Sequence, residues 1–254
     1  MKTHIPSARH AAAALTCAVA LVSLTACNSD TAATKSAAGS TPSKAANASP
    51  AAESNGIEKL SPKEIYDTGM KTNAQAGSFH EKMEREGTKS DLRLSATECF
   101  GTVEISGKGS FEVIRKGNDV WAKPDSTFAE GMNSALGKTA FSTDKWTHGT
   151  PSNALMAKLA SWCHQEQFTA PDTLDAGSKV TKGKVTTVDG QSAVPVVLSG
   201  KGESVTWYVA TTGKPYFIKQ DSTRDDMQDL TDSDFGGAVN AKAPSGAVVE
   251  APAA

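Results

Sequence analysis

Side chains that could perform chemistry gather near the C-terminal end of the chain. Carboxylate oxygens are the ligands that calcium prefers, and six aspartates occur within fourteen residues: Asp221, Asp225, Asp226, Asp229, Asp232 and Asp234. Their spacing does not match the calcium loop of an EF-hand, so we interpret the run as a solvated acidic face. His80, His148 and His164 stand singly in different segments, which predicts surface positions and no metal site.

Motifs of catalysis are not found in the sequence. It contains no nucleophile elbow, phosphate-binding loop or zinc-binding helix pair. We therefore expect a protein that is not an enzyme and that needs no cofactor.

The first 26 residues have the composition of a secretory signal peptide. Lys2 and Arg9 give it a positive start, and residues 11–24 are apolar or small throughout. This apolar stretch is shorter than the roughly 20 residues that a membrane-spanning helix needs. We therefore expect a signal for export and not a transmembrane helix.

A four-residue motif closes this segment. Leu24, Thr25, Ala26 and Cys27 resemble the lipobox of bacterial lipoproteins, in which the cysteine receives diacylglycerol and fatty acids such as palmitate. The resemblance implies cleavage before Cys27 and a lipid anchor on the outer face of the cytoplasmic membrane, facing the cell wall. The alternative is an ordinary secretory signal, which would leave Cys27 as a stray thiol.

Two cysteines remain in the exported part of the chain, Cys99 and Cys163. Outside the cell, two remaining thiols most often form one disulfide, and we predict that pairing. A metal site or a nucleophile formed with His164 is the alternative. A metal would require more ligands at defined spacing.

Composition divides the rest of the chain into a tether, a domain and a tail. Residues 27–56 are almost wholly small or polar and lack aromatic residues, which predicts a flexible tether. Residues 57–250 are long enough for one domain with its own core, and residues 251–254 form a tail. Without Lys2 and Arg9, 24 basic residues face 28 acidic ones, which argues against nucleic-acid binding.

Hydrophobic periodicity within the domain predicts strands, then helices, then strands. Ser61, Pro62 and Glu64 form a capping box that opens a helix running to about Ala76. Apolar residues alternate with polar ones over residues 79–122 and again over 178–218, with glycine-containing turns between the segments, which predicts antiparallel hairpins. Residues 124–170 show helical spacing instead. This order predicts an α+β fold.

Three stretches resemble lipoprotein carriers of the LolA, LolB, LprG and LppX type. Residues 109–123 resemble paired strands of that family, residues 207–216 resemble its hairpin with a Gly-x-Pro turn, and residues 230–244 resemble its closing strand and exit loop. The resemblance implies a curved antiparallel sheet, a half-open β-barrel, with helices covering its concave face over an apolar cavity. The Ala-rich tether suggests an actinobacterial lipoprotein.

That fold predicts a binding site for a lipid or another hydrophobic molecule. The candidate cavity-lining residues are Phe79, Met83, Leu92, Leu94, Val103, Ile105, Phe111, Val113, Val196, Leu198, Trp207 and Val209. Trp121, Trp146 and Trp162 could either gate an entrance or pack within the domain. The alternative function is a tethered module that docks on an envelope protein, with these side chains filling a solid core.

Overall fold

The computed structural model describes residues 53–164, 178–224 and 228–252. The helices in these ranges are α1 (Pro62–Ala74), α2 (Ser126–Leu136) and α3 (Ala154–Ala160), with short 3₁₀ helices at Ile57–Lys59 and Ser161–Cys163. The strands are β1 (Ser78–Arg85), β2 (Thr88–Ser95), β3 (Glu98–Ile105), β4 (Gly109–Lys116), β5 (Asp119–Pro124), β6 (Trp146–Gly149), β7 (Lys179–Lys182), β8 (Thr186–Val188), β9 (Gln191–Gly200), β10 (Glu203–Ala210), β11 (Phe217–Ser222), β12 (Asp229–Ser233) and β13 (Val248–Glu250).

All thirteen strands belong to one curved sheet. Its order is β13-β6-β5-β4-β3-β2-β1-β12-β11-β10-β9-β7, with β8 paired to β9. Strand β12 lies between β1 and β11 and is antiparallel to both, so it joins the N-terminal half of the sheet to the C-terminal half. The predicted α+β class and the predicted closing strand are confirmed.

Turn chemistry sets the register of the hairpins. Glu86 and Gly87 between β1 and β2 have φ angles of 45° and 76°. Two consecutive positive φ angles define the type I′ turn, whose twist matches that of the flanking strands. The hairpins therefore form where glycine-containing turns interrupt the alternating pattern, as the sequence predicts.

Helix α1 covers the C-terminal half of the sheet. Ser61 and Glu64 make the predicted capping box, and Pro62 occupies the first turn. Gly69 faces Phe217 of β11, and a Cβ at position 69 would lie 2.5 Å from the phenyl ring. Asn73 accepts a hydrogen bond from the Phe217 amide at 2.9 Å. These contacts fix the helix against the strands.

The predicted disulfide is present. Cys99 on β3 and Cys163 at the end of the second 3₁₀ helix are bonded, with their Cα atoms 5.5 Å apart. Both residues are fully buried. The bond ties the segment after α3 to the N-terminal half of the sheet.

The segment predicted to be helical throughout, residues 124–170, also contains a strand. Trp146–Gly149 forms β6 at the edge of the sheet, and β13 pairs with it in parallel. A four-residue strand carries too few side chains to show a period of two. Its parallel pairing also depends on β13, a segment about a hundred residues away. The sheet is therefore mixed at this edge, and the other pairs of described strands are antiparallel, as the sequence predicts.

Residues Ser54 to Gly56, which the sequence assigns to the tether, contact the domain. Ser54 forms a β-bridge with Thr212, and the Asn55 amide donates to the carbonyls of Ala210 and Gly213, each at 3.0 Å. The remaining part of the predicted tether, the signal peptide and Cys27 lie outside the described residues. In the described ranges, no helix is long and apolar enough to cross a membrane.

Candidate functional site

One face of the sheet carries all twelve residues that the sequence predicts to line a cavity. Strand register shows this, because residues directly opposite each other in neighbouring strands point to the same side. Phe79 lies opposite Leu94, Leu92 opposite Glu81, Val103 opposite Phe111, and Trp207 opposite Val196. We call this side of the sheet the helix-covered face, since α1, α2 and α3 all pack on it.

The apolar side chains of this face form two separate clusters. The first includes Phe79, Leu92, Leu94, Val103, Phe111 and Val113, together with Phe128 of α2 and Met156 of α3, and Ile105 packs against it. The second includes Val196, Leu198, Trp207 and Val209, together with Ile65, Tyr66 and Met70 of α1. Within the described residues, most of the predicted lining residues therefore pack into these two core clusters.

Polar side chains occupy the strip between the two clusters. Glu81 on β1 lies directly opposite Asp232 on β12, which places their Cβ atoms about 5 Å apart. In the neighbouring row, Ser90, Met83, Leu230, Gln220 and Trp207 follow one another across five strands. We call Glu81, Asp232, Ser90, Gln220 and the indole nitrogen of Trp207 the polar cluster.

Every member of the polar cluster is buried and has at least one polar atom without a hydrogen-bond partner. Glu81 is 0 %, Gln220 1 % and Asp232 7 % exposed. The atoms without a partner among the described residues are both carboxylate oxygens of Glu81, Oδ1 of Asp232, Oγ of Ser90, Oε1 of Gln220 and Nε1 of Trp207. A buried polar atom left without a partner costs about 1–3 kcal/mol, so this concentration calls for an explanation.

Burial also changes the protonation of the two acids. It raises the pKa of Asp232 to about 8. Burial, reinforced by the neighbouring charge of Asp232, raises the pKa of Glu81 well above its usual value. Burial is the main cause in both cases, because a carboxylate away from water loses its solvation. For Glu81, repulsion from the adjacent Asp232 carboxylate adds to this effect.

A cavity opens on the helix-covered face beside the polar cluster. Its volume is about 480 Å³, and it is lined by Met83, Arg85, Glu86, Thr88, Ser161, Trp162 and Gln228. Met83 is the one member of the twelve predicted lining residues that borders this cavity. Gln228 connects the cavity to the polar cluster, because its carbonyl accepts a 2.5 Å hydrogen bond from the Gln220 amide.

The tryptophans considered as gates have different positions. Trp162 lines this cavity. Trp121 stacks on the His148 ring, with centroids 5.1 Å apart, on the outer face of the sheet. Trp146 borders a separate depression of about 320 Å³ on that outer face. Trp162 is therefore the one of the three that is placed beside the cavity of the helix-covered face.

Two of the histidines are more buried than the sequence predicts. The His80 side chain is 17 % exposed and bonds Asp91 at 2.6 Å. The His148 side chain is 22 % exposed and lies between Glu250, at 2.8 Å, and Asp119, at 3.0 Å. Burial lowers the pKa of His148, but the hydrogen bonds to these two carboxylates outweigh it and raise the pKa. His148 thereby links β6 to β5 and β13.

The acidic run is only partly the solvated face that the sequence predicts. Asp221 pairs with Lys219 at 2.9 Å, and Asp234 pairs with Arg93 at 2.9 Å. Asp225 and Asp226 lie outside the described residues. For Asp232 the prediction is wrong, because β12 is an inner strand and this side chain points to the covered face. The described ranges contain no group of three His, Cys, Asp or Glu residues that could hold a metal.

Sequence reasoning missed Glu81, Ser90 and Gln220, although a signal for the first two was present. Glu81 stands midway between Phe79 and Met83, and Ser90 is two residues before Leu92. Both therefore occupy inward positions of an alternating apolar pattern. A polar residue in phase with buried neighbours marks a buried polar position.

Comparison with solved structures finds two proteins of the kinds that the sequence resembles. The crystal structure of the Mycobacterium tuberculosis lipoprotein LppX has 12% identity and a TM-score of 0.47, over 71% of this chain and 98% of that one. A LolA superfamily protein from Nitrosomonas europaea has 10% identity and a TM-score of 0.23, over 70% and 94% of the two chains. A structure of PNGF-II also matches, with 8% identity and a TM-score of 0.22, over 68% of this chain and 30% of that one.

No protein-family model matches the sequence, and no curated protein does.

Proposed function

We propose that this protein is a membrane-anchored carrier that holds an amphiphilic molecule on the helix-covered face. One observation carries the proposal: a cavity of about 480 Å³, bordered by Met83 and Trp162, adjoins buried polar atoms that have no partner within the described ranges. Binding sites for small molecules typically have volumes of about 300–1,000 Å³ and combine apolar walls with a few placed polar groups. An amphiphile would contact both kinds of surface.

The division of the apolar residues supports a confined site. The clusters on either side of the polar cluster pack under their own helices, α1 on one side and α2 and α3 on the other. A ligand would therefore lie between two packed halves, at the strip where β1 meets β12. The alternative function is a docking module with a filled core. A protein that binds no ligand would favour this alternative.

Filling the cavity is expected to displace the ligand. In Thr88→Trp, an indole would occupy space at the cavity wall, beside Arg85. We expect a reproducible bound mass in native mass spectrometry of the full chain carrying Cys27→Ala, and lipid on organic extraction. Thr88→Trp should reduce the bound fraction at least severalfold.

The matched control is Thr102→Trp, an exposed position on the outer face of β3. It should retain the bound mass. A bare polypeptide mass in the unsubstituted protein, or equal loss of ligand in both tryptophan variants, would refute the carrier function.

Cys27 is proposed to carry the lipid anchor. We expect the unsubstituted chain to partition with the membrane fraction and Cys27→Ala to appear in the soluble extracellular or periplasmic fraction, with the same circular dichroism spectrum. Burial of each acyl methylene contributes about 0.8 kcal/mol to membrane binding, so loss of the acyl chains abolishes stable anchoring. Retention of Cys27→Ala in the membrane would contradict the anchor.

A further inference from the structure

We propose that the polar cluster is a site for a primary ammonium group, so that the preferred ligand is an amphiphile with a cationic amine. This inference rests on the proposed carrier function and names the chemical class of its ligand. It is carried by two features: the composition of the polar cluster and its position beside the cavity.

The atoms without partners are mostly acceptors. Glu81 contributes two oxygens, and Asp232, Gln220 and Ser90 contribute one each, against one obligatory donor at Trp207. Gln220 is oriented by its own amide, which donates to the Gln228 carbonyl and leaves Oε1 without a partner. A primary ammonium brings three donors on one compact charged atom, which suits several acceptors in a small space.

The register places the two carboxylates next to each other, with Ser90 diagonal to Glu81 and Gln220 diagonal to Asp232. Glu81 and Asp232 are directly opposite in the β1–β12 pair, and Ser90 and Gln220 are in the neighbouring row, on the strands to either side. Diagonal neighbours of this kind lie roughly 7–8 Å apart, within reach of a group bound between them. One ammonium group can therefore contact both carboxylates together with a neutral acceptor.

The two carboxylates need a cation in order to be charged together. Among described residues, the other ionisable side chains on this face of β1, β12, β11 and β10 are Arg85 and Glu203, and Tyr66 reaches Trp207 from α1. Arg85 lines the cavity. It is four residues after Glu81 on β1, so one inward-facing residue, Met83, stands between them. A bound ammonium would supply the missing charge, and an amine-bearing ligand would enter past Met83.

Three ligands that share an octyl chain and differ in head group show which head group the site prefers. Octylammonium, 1-octanol and octyl sulfate are titrated by calorimetry into the full chain carrying Cys27→Ala. We expect octylammonium to bind roughly ten- to a hundredfold more tightly than 1-octanol, the range of a charge-assisted hydrogen bond. Lowering the pH from about 8 to ~5 should weaken octylammonium binding, because protonation removes the charge of Asp232.

Conservative substitutions test the assignment to the polar cluster. Asp232→Asn and Glu81→Gln keep the shape of each side chain and should abolish the preference for octylammonium while retaining binding of 1-octanol. The control is Glu84→Gln, which removes an exposed carboxylate on the outer face of the same strand. It should leave the preference unchanged.

The outcomes separate this inference from the proposed function. Equal binding of octylammonium and 1-octanol, tighter binding of octyl sulfate, or a preference that survives in Asp232→Asn would refute the ammonium site and leave the carrier function standing. If none of the three ligands binds, both proposals fail.

Discussion

Replacing both Cys99 and Cys163 with serine is expected to lower the free energy of unfolding by about 4 kcal/mol. The two cysteines are 64 residues apart in sequence, and their bond closes a long loop in the unfolded chain. Without the bond, the unfolded state gains conformational freedom while the folded state keeps its contacts. Denaturant unfolding of the full chain carrying Cys27→Ala, with and without the two serines, measures the difference.

Two controls separate the effect of losing the disulfide from the effect of the serine substitutions. Reduction of the disulfide with dithiothreitol should destabilise the cysteine protein to a similar extent. The pair Cys99→Ala with Cys163→Ala removes the bond without burying hydroxyl groups, and should be no less stable than the serine pair. Equal stability of the oxidised cysteine protein and the alanine pair would show that this bond contributes nothing to stability.

Asp232→Asn is expected to make the protein more stable at pH 8 and to leave its stability at pH ~4 nearly unchanged. The folded-state pKa of Asp232 is raised to about 8, whereas the unfolded value is about 3.9. The folded protein therefore holds a proton that the unfolded chain releases. The stability that Asp232 contributes therefore declines as the pH rises between these two values.

The expected gain at pH 8 is on the order of a few kcal/mol, because each unit of pKa difference corresponds to about 1.4 kcal/mol. Glu81→Gln should act in the same direction, since the pKa of Glu81 is also raised. Their effects should not add, because each acid shifts the titration of the other. Thermal unfolding between these pH values, with Glu84→Gln as the control, measures the effect. An Asp232→Asn variant that is no more stable than the wild-type protein at pH 8 would contradict the burial of this acid.

The two acids therefore cost stability in the empty protein. Replacing them with amides is expected to strengthen the fold and to remove the preference for an amine. A local conflict of this kind, polar atoms without partners in an otherwise consistent core, is typical of functional sites. The same variants thus test the stability argument and the binding argument with independent measurements.

Much of this architecture follows from the sequence because local patterns determine it. The capping box at Ser61 and Glu64, the turn at Glu86 and Gly87, and the period-two strands are each set by residues close together in the chain. Alternation also identified the buried side of each strand, so the twelve predicted lining residues all lie on one face. The pairing of Cys99 with Cys163 followed from their number and compartment.

Tertiary structure alone decided which distant strands are neighbours, and with that the candidate site. Glu81 and Asp232 are about 150 residues apart in sequence, and they meet because β12 pairs with β1. An aspartate in an acidic run indicates a solvated position when only its local neighbours are considered. Its burial depends on the strands to either side of β12, and pairing between distant strands leaves no local pattern in the chain. For the same reason the sequence did not predict the short strand β6, because its parallel partner β13 lies near the C-terminus.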